Sequence, residues 1–193
     1  MIKHTDIKIF FIRIKNLILD SKTEWHKIKK EDKTNKELIK SFLIPLALLC
    51  GTISFLSHIF ENEIYASVCI FITNIATVFA GMFCSVFILR EITGNSEVKN
   101  TGCNKMILYS STVFFLLHSL AYFFEEGSIL RAILQLAQFL CIIPVWNGLG
   151  IIMKVKPSNK AGYAVLIVLL ITIIPSIFEK LFSIILDVPI ATI

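Results

Sequence analysis

Catalytic signatures are missing from this sequence. No GxSxG, HExxH, phosphate-binding P-loop or Rossmann glycine pattern occurs. The histidines, His4, His26, His58 and His118, have no carboxylate or second histidine at metal-ligand spacing, so no metal is expected. Glu125 and Glu126 are adjacent and point to different faces of any helix, which makes a poor acid–base pair. The five cysteines are odd in number and contain no CxxC, which excludes a disulfide framework and a zinc ribbon. Four of them lie in apolar runs and read as small packing residues, while Cys103, in a polar stretch, reads as a free thiol. No cofactor is implied. There is no internal repeat, low-complexity tract or second domain. The first 40 residues are charged throughout and lack the compact apolar core of a cleavable signal, so the first span is expected to direct its own insertion.

Long hydrophobic runs are what the chain does have. Its 193 residues are 55% hydrophobic, against about 45–50% for soluble proteins, and the mean hydropathy is +0.76. The stretch from Leu130 to Pro175 sets the pattern. Two apolar runs flank a basic turn containing Lys154, Lys156 and Lys160, as in a helical hairpin that crosses a membrane. Three similar runs precede it. Spans are expected at about 41–60, 64–89, 106–124, 132–153 and 161–178. The fold class is therefore all-α, a polytopic membrane protein with five transmembrane helices (41–193) behind a basic segment (1–40).

That first segment holds eleven of the Lys and Arg residues and six acids, a net +5. Ile7, Phe10, Phe11, Ile14, Leu17 and Ile18 recur at helical spacing, with Lys8, Arg13, Lys15 and Lys22 largely on other faces. This pattern fits an interfacial amphipathic helix on an anionic leaflet, with Trp25 as an interface anchor. It fits equally a juxtamembrane helix that packs on its own domain. Nucleic acid is not an expected partner, since the charge adjoins a span and no nucleic-acid motif accompanies it. Placing the N-terminus in the cytoplasm and the C-terminus outside puts seventeen of the nineteen Lys and Arg on the inner side.

Polar residues inside the runs admit two readings. Asn74, His118, Gln138 and Asn147 could line a polar cleft between the second, third and fourth spans. The commoner use of such groups is interhelical hydrogen bonding. The small residues Ala76, Ala80, Gly81 and Ser85 form a face for close helix packing, within one chain by default or in a homodimer.

Several short motifs in fixed order resemble the Yip (Ypt/Rab-interacting protein) family of five-span membrane proteins, in its compact bacterial branch. Trp25, Ile28 and Glu31 match a W-x-x-I-x-x-E pattern. Phe42-Leu43-Ile44-Pro45-Leu46 opens the first span and Leu108-Tyr109-Ser110-Ser111 lies at the start of the third. Pro144-Val145-Trp146-Asn147-Gly148-Leu149-Gly150 ends the fourth, and Lys160-Ala161-Gly162-Tyr163 opens the fifth. Val113 stands where bacterial relatives often carry proline. The long cytoplasmic region and Asp-Leu-Tyr-Gly-Pro-like motif of eukaryotic members are missing, so binding of Rab GTPases is not carried over. The resemblance implies the fold, the topology and association with other membrane proteins. The expected function is a non-enzymatic scaffold or adaptor that associates with anionic inner-leaflet lipids, partner membrane proteins or itself in a bacterial plasma membrane. The alternative is a small transporter, channel or lipid scramblase that uses the polar cleft.

Overall fold

The computed structural model describes residues 4–59, 64–94, 97–125 and 127–186. Glu61, Glu63, Glu126, Asp187 and the tail beyond Leu186 lie outside the described residues, as do the side chains of residues 4–7 and 97–100. All regular structure among the described residues is helical.

Two short helices come first, α1 (His4–Leu19) and α2 (Ser21–Lys30). Thr34 and Glu37 then form a reciprocal capping box that starts α3 (Asn35–Leu38). A π-turn at Ile39–Leu43 joins α3 to α4 (Ile44–His58). Pro45 explains the wider turn, because its ring would clash with the carbonyl four residues back in a regular helix. Next come α5 (Ile64–Thr93) and α6 (Glu97–Ala121). The fourth long segment is α7 (Ile129–Ala137), a tight 3₁₀ turn at Gln138–Cys141, and α8 (Ile142–Ile151). Pro144 lies just past that turn. The last helix, α9 (Pro157–Leu186), carries Pro175 in its interior.

Among the described residues, four segments are long and apolar enough to cross a membrane: Asn35–His58, Ile64–Thr93, Ile129–Ile151 and Pro157–Leu186. The expected third span falls on α6, which is not among them. Physically, α6 can be more polar because it is the central helix. Residues Cys103–Phe115 are all buried, and α6 touches α1, α3, α4, α5, α7, α8 and α9. Its Asn104, Lys105, Ser110, Ser111, Thr112 and Ser119 are buried against other helices.

Two expectations about the connections are corrected. The polar stretch Arg90–Lys105 is not a loop: α5 continues to Thr93 and α6 starts at Glu97. Cys103 is accordingly not a free loop thiol but a fully buried helical residue, 3.5 Å from the Thr93 hydroxyl. The sequence leaves open whether the last helix continues past its expected span of 161–178. The helix runs through Glu179 and Lys180 to Leu186, and Glu179 is buried.

The small face of α5 packs on α9. A Cβ at Gly81 would lie 2.7 Å from Pro175 Cγ and 3.0 Å from Pro175 Cα, so only glycine admits this approach. One turn along, Ser85 Oγ donates to the Leu170 carbonyl at 2.9 Å. Ala76 and Ala80 are half-buried. The core is continuous from α1 and α2 into the bundle, joining Phe10, Ile14, Leu17, Trp25 and Ile28 to Leu43, Met106 and Leu149.

Candidate functional site

Two polar constellations stand out, one at each end of the bundle. The first locks α1 and α2 in place. On α1, Arg13 shares a stripe with Phe10, Ile14 and Leu17, and all four are buried. Its Nε donates to Glu24 Oε1 at 3.2 Å and its Nη1 donates to Glu31 Oε2 at 2.9 Å and to the Tyr109 hydroxyl at 3.0 Å. A second Glu31 oxygen accepts from Nη2, which makes the pair bidentate. Asn16 and Lys27 complete the shell of Glu24 at 2.9 and 3.2 Å. Lys105 Nζ donates to the Ile28 and Glu31 carbonyls at 3.2 and 2.6 Å and so holds the C-terminal end of α2. Burial on its own would raise the Glu31 carboxyl. The hydrogen bond from Arg13 and its charge, with Lys33 beside them, instead hold it below the ordinary carboxylate value.

The W-x-x-I-x-x-E residues are the three anchors of this dock. Trp25 is 0% exposed and its Nε1–H donates to the Pro144 carbonyl at 2.8 Å. Its ring meets Tyr109 edge-on at 6.0 Å. It also lies on Gly148, where a Cβ would come within 2.8 Å of the indole and 2.6 Å of Met106 Sδ. Ile28 is fully buried and Glu31 takes Arg13.

This placement corrects two expectations. Arg13 and Trp25 do not face a leaflet. The arginine sits with its inward neighbours on the helix, and the indole N–H needs a partner that α8 supplies. Lys8, Lys15 and Lys22 are exposed as expected. Exposed beside them are Ile9, Phe11, Ile12, Ile18 and Leu19, the last 73% so. Thus α1 has a second apolar face, turned away from the bundle.

The second constellation lies between α4, α5, α6 and α9. His118 Nε2 donates to both Glu179 oxygens at 3.2 and 3.1 Å, and the Tyr122 hydroxyl also donates to Glu179. Gln138 Nε2 lies 3.5 Å from His118 Nδ1. Asn74 donates to Ser54 Oγ at 2.7 Å. Asn74, His118, Tyr122 and Glu179 border a cavity of about 30 Å³ that is also lined by His58, Thr73 and Thr77, room for a water or two, and Gln138 lines a smaller one beside it. The Thr73 and Thr77 hydroxyls are buried and make no protein hydrogen bond, so water is their natural partner. Asn74, His118 and Gln138 are therefore brought together, but Asn147 is not: it is half-buried on α8 and lines neither this cavity nor its neighbour around Gln138. His118 takes Glu179 as its carboxylate, and Glu125 is exposed. Little in the sequence marks Glu179, just past the expected end of the last span, or Tyr122 as a partner of His118. Their signal is faint: Pro175, Glu179 and Ser183 repeat every four residues on one face of α9.

Among the described residues, no three His, Cys, Asp or Glu side chains are placed to hold a metal ion. The cavity admits water but nothing the size of an organic substrate.

A family model described as Yip1 domain matches residues 15–178, most of the chain. No curated protein and no solved structure matches it.

Proposed function

We infer the role of this protein from its family and its surface: the chain belongs to the Yip1 domain family of membrane proteins, and its function is that of a non-enzymatic scaffold or adaptor. In this reading α6 is a fifth span inside a ring of four. The N-terminus faces the cytoplasm of a bacterial cell, the C-terminus faces out, and the positive residues lie inside. The observation that carries the reading is the outward face of α1. The Arg13 network fixes the helix to the bundle, and the opposite side offers Phe11, Ile12, Ile18 and Leu19 together with Lys8 and Lys15. An apolar strip flanked by lysines on a rigid mount suits the headgroup boundary of an anionic leaflet. Partner helices, or a second copy, would meet the span through α7 and α8, whose most apolar window is only 22% buried within the chain.

A transporter or scramblase would need a hydrated path through Asn74, His118, Gln138 and Asn147. The small cavity and the separation of Asn147 speak against it.

The test reads the depth of α1. A fluorophore on Leu19→Cys, in a cysteine-free background in nanodiscs containing phosphatidylglycerol, is quenched by lipids brominated near the headgroup. Lys8→Glu, Lys15→Glu and Lys22→Glu together remove about 3 kcal/mol or more of leaflet attraction, and the quenching falls. Equal quenching before and after reversal would sink the leaflet role.

A further inference from the structure

The connection between α8 and α9 borders a groove of about 560 Å³ that none of the described residues fills. Thr93 at the end of α5 and Gly102 on α6 form one wall. The stretch Ile152–Lys156 forms the other, with Asn159 and Tyr163 from the start of α9. Its lining divides by chemistry. Ile152, Met153, Val155 and Tyr163 are half-buried, while Lys154 and Lys156 are exposed. No carboxylate is among the described residues that line it.

Lys154 is the only described non-glycine residue with positive φ, at 51°. A glycine would take that backbone state without steric cost. Here the left-handed residue is instead a lysine, and it lines the groove together with a second lysine. The left-handed turn ends α8, with the Val155 N–H donating back to the Leu149 carbonyl at 3.2 Å, and it sets Lys154 on the groove wall near Lys156.

Position selects the occupant. The groove lies where the segments Ile129–Ile151 and Pro157–Leu186 meet. If those segments cross the bilayer, as proposed above, their junction is at the headgroup plane. A free anion would leave the apolar wall unused, whereas a phospholipid would lay its glycerol and first methylenes along Ile152, Met153 and Val155. We propose that this groove binds the phosphate headgroup of an anionic phospholipid through Lys154 and Lys156, with Asn159 as a neutral donor. The site rests on the membrane reading but is separate from α1. Lys160 is engaged elsewhere, its Nζ 4.4 Å from the Trp146 ring centroid.

The test is native mass spectrometry of the full chain in mild detergent, titrated with phosphatidylglycerol or phosphatidylcholine of the same chains. The expected result is one retained phosphatidylglycerol, favoured at least tenfold over phosphatidylcholine. Lys154→Gly relieves the positive φ and removes one cation, so it raises the thermal midpoint while weakening retention about fivefold. Adding Lys156→Gln brings the loss to about 25-fold. Equal retention of the two lipids, or a double variant that binds as before, overturns the proposal. Displacement by millimolar inorganic phosphate overturns the lipid assignment in favour of a free-anion site. The Lys8→Glu, Lys15→Glu, Lys22→Glu protein keeps the groove intact. It should retain the lipid even if the leaflet role of α1 fails, and loss there alone would move lipid binding to α1 and refute the groove.

Discussion

Arg13→Ala is expected to cost about 3 kcal/mol of stability, because it leaves buried Glu24 with only Asn16 and Lys27 and half-buried Glu31 with only Lys33. Arg13 is 7% exposed and Glu24 is 3% exposed. Among the described residues, Arg13 is the only arginine or lysine that pairs with both Glu24 and Glu31. Lysine does not substitute, since a point charge cannot match the two Glu31 oxygens and the Tyr109 hydroxyl at once. A fall in the thermal midpoint in detergent, with new protease cleavage between α2 and α3, is the expected readout. The same pair makes the dock sensitive to acid. The Glu31 carboxyl is held below its usual value of 4.5 in the folded state. Its contribution is therefore complete above that value and is lost as pH falls through the lowered one. Arg13→Ala should flatten the acid limb of the stability profile, while Lys22→Ala should leave it unchanged.

Trp25→Ala is expected to cost a similar amount, about 3–5 kcal/mol, from the cavity it opens. It also removes the indole hydrogen bond to the Pro144 carbonyl, a smaller addition. Gly148→Ala acts on the same contact from the other side. Its new methyl would press on the Trp25 indole and Met106 Sδ, an overpacking worth about 1–3 kcal/mol. The two changes should not add. With the indole gone the methyl has space, so the double variant should be more stable than the sum of the single losses implies. Strict additivity in thermal or denaturant unfolding would mean that the two residues do not touch.

Much of the architecture was legible. Runs of apolar residues located Asn35–His58, Ile64–Thr93, Ile129–Ile151 and Pro157–Leu186 to within a few residues at most ends. The order of short motifs pointed to the family that matches residues 15–178. What hydropathy could not give was which side of each helix turns inward. Arg13 was grouped with Lys8, Lys15 and Lys22 by charge, although its spacing of three from Phe10 and four from Leu17 puts it on the buried stripe. Trp25 has the composition of an interface anchor, and only the proximity of Pro144 and Gly148 shows it is a core residue. Glu179 was placed past the end of the last span because charge normally stops a membrane helix. The renewed apolar run from Leu181 to Leu186 was the sign that the helix continues. Its pairing with His118 depends on the register of α6 against α9, which no local pattern encodes.

The docking of Trp25 between α6 and α8 is the central claim, and fluorescence tests it directly. The chain has two tryptophans, so Trp146→Phe leaves Trp25 as the sole reporter. In nanodiscs its emission should be blue-shifted and indifferent both to aqueous iodide and to lipids brominated at any depth, because the indole is enclosed by protein. Quenching by lipids brominated near the headgroup would contradict the account and return Trp25 to the membrane interface, and quenching by iodide would mean that α1 and α2 stand free of the bundle.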